Sequence, residues 1–147
     1  MVRDLSRARA ILIGNARYES QGIEDLPPAQ GCVAAMAGLL EGQLCGWPTD
    51  RVTQLVDVPT QHELVLQVLA AVRDAEDLLV VYYVGHGLRT SKGQLALALG
   101  KTHPDLEALP YTAMLYENLA EILRGCRAAT AYHLTGCLDC AVRPIRS

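Results

Sequence analysis

Phenylalanine is absent from these 147 residues, and Trp47 is the only tryptophan. The core must then be built from Leu, Val, Ala and Ile, with some of the six tyrosines. Lysine is nearly missing as well. Lys92 and Lys101 stand alone, and with a formal net charge of −3 no basic patch forms. That argues against a nucleic-acid partner. No apolar run is long enough to span a bilayer, so no membrane contact is expected. Met1 to Arg9 mixes charges of both signs and has no long apolar stretch, which argues against a secretory leader. The five cysteines, Cys32, Cys45, Cys126, Cys137 and Cys140, are odd in number and scattered, so they do not make a disulfide framework. A cytoplasmic, reducing compartment is the expectation. The chain lacks a Gly-rich phosphate loop ending in Lys-Ser/Thr, and it lacks a Gly-x-Ser-x-Gly element.

Half of the residues are hydrophobic, enough for one domain with a sizeable core and too many for disorder. Ala10-Ile-Leu-Ile-Gly14 is a short apolar run closed by glycine and predicts a buried first strand. Asn15 to Pro28 is a loop. Val33, Met36 and Leu40 recur at helical spacing and predict a helix over about 29–44. Arg51 to Val56 is a second strand. Thr60, with Glu63 three residues on, has the spacing of a capping box, and the following helix places Val65, Val68, Leu69 and Val72 on one face. Leu78 to Val84 is continuous and β-branched, as expected of a strand covered on both faces. Gly93 to Leu99 alternates as an edge strand or hairpin arm. Pro104 to Pro110 is a loop, Tyr111 to Cys126 is helical with Leu115, Leu119, Ile122 and Leu123 inward, and Ala128 to Leu134 is a fourth strand. Strands alternating with helices predict an α/β sandwich with a mostly parallel sheet.

The run Leu78-Leu-Val-Val-Tyr-Tyr-Val-Gly-His86-Gly87 carries the chemistry. An apolar strand ending in a glycine-flanked histidine presents an imidazole at the carboxyl edge of a parallel sheet, where active sites of such sheets lie. Asp139-Cys140 follows 54 residues after His86, at the end of another apolar segment. A thiolate and a base at one edge are what a cysteine hydrolase needs. Cys32 and Cys126 are expected as small core residues, His62 and His103 as surface residues, and Glu24 and Asp25 as neighbours of the site's mouth or as solvated charge. Cys137-x-x-Cys140 is also a redox or zinc spacing. A redox pair would want a helix N-terminus, and zinc would want two more ligands, of which only His133 is near in sequence.

Ile11-Leu-Ile-Gly-Asn-Ala-Arg-Tyr18, then Ile23-Glu-Asp-Leu26 before a helix, then Tyr82-Tyr-Val-Gly-His-Gly87, then Leu138-Asp-Cys140, resemble the bacterial caspase-like peptidases of the caspase and metacaspase clan, peptidase family C14. The likeness runs in order over about residues 10 to 130. It implies a three-layer α/β/α sandwich of the caspase type and a cysteine endopeptidase that acts on protein or peptide substrates. By that likeness His86 is the acid/base, Cys140 the nucleophile, and the backbone N–H of Gly87 a donor to the oxyanion. No cofactor and no metal is implied. Some metacaspases use calcium, but no clustered acidic loop stands here to bind it.

The nucleophile segment departs from the pattern. Family members end the fourth strand in Asp-Cys-Cys or Asp-Ser-Cys, and here the chain has Thr130-Ala-Tyr-His-Leu-Thr-Gly-Cys-Leu-Asp-Cys-Ala141. Laid on Asp-Cys-Cys, the second cysteine falls on Ala141, so Cys140 and Cys137 both stay open; either lies about 50 residues after the histidine, as in caspases. Seven residues follow Cys140 where the family has two more strands. The expectation is a caspase-like domain over 10–141, with a 1–9 extension and a 142–147 tail. Its C-terminal strands are missing by truncation or supplied by another chain. An inactive caspase-fold module working through protein–protein interaction is the alternative, and an exposed sheet edge predicts self-association.

Overall fold

The computed structural model describes residues 4–128 and 130–136. The first apolar run forms β1 (Ala8–Gly14), two residues longer at its start than the sequence pattern predicts. Then come α1 (Pro28–Glu41), a single 3-10 turn (Thr49–Arg51), β2 (Val52–Val56), α2 (Gln61–Asp74) and β3 (Leu78–Val84). The chain continues through β4 (Gly87–Arg89), β5 (Leu95–Leu97), the short α3 (Leu109–Thr112), β6 (Met114–Leu115), α4 (Tyr116–Arg124) and β7 (Thr130–Gly136). Among the described residues, four parallel strands form a sheet in the order β2-β1-β3-β7, and β4, β5 and β6 form a small antiparallel sheet beside it.

Alternation along β1 and β3 makes the layers. Ile11, Ile13, Leu79, Val81 and Tyr83 face the side where α2 and α4 pack with Leu64, Val68, Val72, Leu119 and Leu123. Leu12 and Val84 face the other side, where α1 packs through Ala29, Val33 and Ala37. The small residues on α1 let it approach closely. A Cβ on Gly14 would stand 3.0 Å from the Ala29 carbonyl oxygen and against the Val33 side chain. Trp47 closes this layer at the amino end of the strands with Ala8, Ala10 and Leu78. The result is the expected α/β/α sandwich.

Three helix expectations shift. The first helix begins at Pro28, where a missing N–H costs nothing, and stops at Glu41 rather than at Leu44. In α2, Thr60 caps as predicted, its hydroxyl accepting from the Glu63 N–H at 3.3 Å. The buried face is Leu64, Val68, Ala71 and Val72, with Val65 and Leu69 only half-buried. The predicted Tyr111–Cys126 helix is broken in two. The Thr102 hydroxyl donates to the Thr112 carbonyl at 2.8 Å, and the His103 N–H donates to the Thr112 hydroxyl at 2.9 Å. The chain leaves the helix there, and Met114–Leu115 pairs with Ala96–Leu97 as β6. Leu115 is therefore a strand residue.

The strand order places a topological switch between β1 and β3. From β1 the chain crosses to β2 on one side, then returns over β1 to β3 on the other. Crevices outside the carboxyl ends of strands at such a point are where open α/β sheets bind ligands. At the opposite end, Arg9 and Arg51 share Asp74 at 3.3 and 2.9 Å, and the Arg51 Nε donates to the Ala8 carbonyl at 2.7 Å.

Candidate functional site

The carboxyl edge is assembled from two loops. Asn15 continues the β1 ladder by donating its N–H to the Val84 carbonyl at 3.0 Å. Its buried side-chain amide donates to the Val58 carbonyl at 2.9 Å, which ties the loop after β1 to the one after β2. Asp57, at φ +55°, turns its carboxylate back to accept from the Ala16 and Arg17 N–H groups at 2.8 and 3.0 Å. Aspartate tolerates this left-handed conformation better than most residues. The loop then returns over the sheet edge, with the Tyr18 N–H bound to the Asp25 carboxylate at 2.9 Å.

His86 stands two residues beyond β3, half-buried, at the switch point. Its backbone carbonyl accepts from the Ala98 N–H at 2.9 Å, with the Tyr83 hydroxyl also within 3.2 Å. Its backbone N–H donates to the Tyr18 phenolic oxygen at 3.0 Å, and the two rings lie 5.2 Å apart, tilted by 49°. The imidazole Nε2 lies 2.8 Å from the Glu24 backbone carbonyl. A carbonyl oxygen only accepts, so Nε2 carries the proton, and in the neutral ring Nδ1 carries the lone pair. Gly85 is required between the two tyrosines: a Cβ there would stand 2.8 Å from the Tyr18 hydroxyl oxygen and closer still to that of Tyr83.

Gly87 opens β4 opposite Leu97. The Ala98 N–H bonds to the His86 carbonyl and the Thr90 N–H to the Gln94 carbonyl, so by alternation Gly87 and Leu97 are a non-hydrogen-bonded pair. The Gly87 N–H is therefore directed away from β5. A cleft of about 320 Å³ opens between the loop after β1 and the start of α1, lined by Ala16, Arg17, Asp25, Pro27 and Gln30.

Among the predicted site residues, His86 and Gly87 meet at this edge, and Cys140 and Cys137 lie outside the described residues. Glu24 and Asp25 do border the site, but Glu24 contributes through its main chain and Asp25 by anchoring Tyr18. That role of a carbonyl is invisible in sequence, because every residue has one. Tyr18 and Tyr83 stand in the two motifs that carry the resemblance, but their hold on the His86 main chain is a tertiary relationship that no sequence pattern states. Cys32 and Cys126 are half-buried, as expected of small packing residues, and His62 and His103 are exposed. Burial pushes the Tyr82 phenol above its ordinary range, and the nearby Cys32 adds to the shift. Among the described residues no three His, Cys, Asp or Glu side chains gather as a metal site. None of their helices is long and apolar enough to cross a membrane.

The caspase-domain family model matches residues 7–130. The chain belongs to the caspase-domain family. That family is one of cysteine peptidases. Among solved structures, the caspase-domain chain is similar to a protein from Geobacter sulfurreducens, with TM-score 0.65 and 16% identity. The match covers 88% of this chain and 48% of that one. It is also similar to a caspase-1 precursor, pro-sf-caspase-1, with TM-score 0.62, 15% identity, and 96% and 51% of the two chains covered. At such identities the likeness shows the fold. The chain spans about half the length of these two proteins. Among curated proteins none matches the sequence.

Proposed function

We propose that this caspase-domain chain is a cysteine-type endopeptidase, with His86 as acid/base and Cys140 as nucleophile. The observation that carries the proposal is the His86 imidazole, fixed at the switch point by the Glu24 carbonyl at 2.8 Å with Nδ1 left to accept a proton. The register supports the second half of the dyad. β7 runs parallel to β3 with Gly136 opposite Val84, so it ends at the edge that carries His86, and in sequence Cys137 and Cys140 follow.

In this mechanism Nδ1 takes the thiol proton. The thiolate attacks the scissile carbonyl carbon, and the oxyanion accepts from the Gly87 N–H. Losing one such donor typically costs about a hundredfold or more in rate. The imidazolium keeps its Nε2 proton on Glu24 and returns the Nδ1 proton to the leaving amine. Water then hydrolyses the thioester by the same route in reverse. The step needs no metal or cofactor. Protein or peptide substrates are the partners it implies. Self-association through a sheet edge accompanies the proposal, and a concentration-independent monomer in sedimentation velocity would count against it.

The test is thiol labelling by peptide electrophiles carrying Arg, Lys or Asp, compared across the native chain and its His86→Ala, Cys140→Ala and Cys137→Ala forms. Loss with His86→Ala and Cys140→Ala establishes the dyad. Loss with Cys137→Ala instead moves the nucleophile. Labelling that is absent from the native chain, or indifferent to His86, overturns the proposal and favours a caspase-fold binding module.

A further inference from the structure

We propose that Tyr18 is a positioning residue that fixes the imidazole of His86 in its Nε2–H form, an inference that rests on His86 being the acid/base. Three hydrogen bonds close a ring around the site. The His86 N–H donates to the Tyr18 phenolic oxygen at 3.0 Å. The Tyr18 N–H donates to the Asp25 carboxylate at 2.9 Å. The carbonyl of Glu24, the residue before Asp25, accepts from the His86 Nε2 at 2.8 Å.

Tyr18 grips both sides of this ring. Its hydroxyl holds the main chain of His86, and its own main chain holds the segment whose carbonyl selects the tautomer. The direction of each bond is settled. A phenol has one proton, and the Tyr18 proton goes to the Asn15 carbonyl at 2.9 Å, which leaves the oxygen lone pairs for the His86 N–H. Asn15 is itself buried and bonded to the Val84 carbonyl, so the ring is referenced to the ends of both β1 and β3. Tyr18 is 8% exposed and the Gly85 Cα passes beside its hydroxyl, so the phenol cannot move aside without breaking the packing. Tyr83 completes the hold from the other side: its hydroxyl donates at 2.7 Å to the carbonyl of Ala98, the residue whose N–H donates to the His86 carbonyl.

With the hydroxyl removed, the ring opens at the His86 N–H. The Glu24 carbonyl and Nε2 are then no longer held in one line, and the Nδ1–H tautomer, whose Nδ1 cannot accept a proton, becomes populated. Misplacement of about 1 Å in such a group costs up to ~100-fold in rate.

The experiment is ¹⁵N NMR of the histidine rings in the full chain at a pH where imidazole is neutral, with His86 assigned from His86→Ala. The native chain should show a protonated Nε2 and an unprotonated Nδ1. In Tyr18→Phe, which keeps the ring packing, the two His86 signals should move toward each other, and electrophile labelling should slow about tenfold or more. The exposed Asp25 supplies an independent pair should Tyr18→Phe fail to fold. Asp25→Asn keeps an acceptor for the Tyr18 N–H and should retain native His86 signals, whereas Asp25→Ala should shift them. Native signals in folded Tyr18→Phe or in Asp25→Ala overturn the inference. The NMR readout needs no turnover, so a chain that never labels would sink the peptidase proposal while leaving this one decided by the spectra.

Discussion

The His86 imidazole and the Glu24 backbone carbonyl meet at 2.8 Å across the carboxyl edge of the sheet, a side chain on β3's exit held by the main chain of the loop after β1. The backbone of His86 bonds to Tyr18 and Ala98, while its half-buried ring meets the Tyr18 ring and the Glu24 carbonyl.

His86→Ala should lose electrophile labelling by about a hundredfold or more, the usual contribution of a positioned base. Its urea midpoint should stay close to that of the native chain. A large drop in the midpoint would show that the ring carries packing as well.

Gly85→Ala should destabilise the chain by about 1–3 kcal/mol through overpacking. The added methyl would meet the hydroxyls of both Tyr18 and Tyr83, whose positions are fixed by their own hydrogen bonds. Equilibrium urea unfolding measures the loss. An unchanged midpoint would mean that the tyrosines yield freely.

Asp57→Ala should cost about 2 kcal/mol, since it strands two N–H groups and puts an alanine at positive φ. Asp57→Asn keeps an acceptor and tolerates the backbone, so it should cost less than half as much. Thermal unfolding of the two variants side by side decides the order. Equal losses would show that the carboxylate's charge, rather than its hydrogen bonds, holds the loop.

Tyr82 makes a prediction at alkaline pH. Its phenol is raised above the ordinary value of 10.0, by burial first and by Cys32 second. The folded chain therefore holds this proton more tightly than the unfolded chain. The resulting stability is fully present below about pH 10 and is lost as pH rises through the folded value. Tyr82→Phe has no proton to lose, so its stability should fall less steeply above pH 10. Urea midpoints measured from pH 8 to 11 give the comparison, and parallel slopes would contradict it.

Period and punctuation made much of this fold legible. β3 is legible to its bounds because seven consecutive apolar residues end at a glycine, and the start of α2 because Thr60 and Glu63 form a cap. The 111–126 segment reads as a single helix because its apolar spacing is helical throughout. What interrupts it is the pairing of Met114–Leu115 with Ala96–Leu97, an earlier strand of the chain. No local pattern encodes that pairing.

The sequence by itself determined that an imidazole stands at a strand end between two glycines, because the composition and order of residues 78–87 allow little else. It determined the α/β layering for the same reason, since side-chain periodicity is a local property. Only the tertiary structure decided which nitrogen of His86 is the base and what holds the ring. Those depend on where a backbone carbonyl and a phenolic oxygen arrive from the loop after β1. Parallel strand order brings that loop to His86 across more than sixty positions of chain.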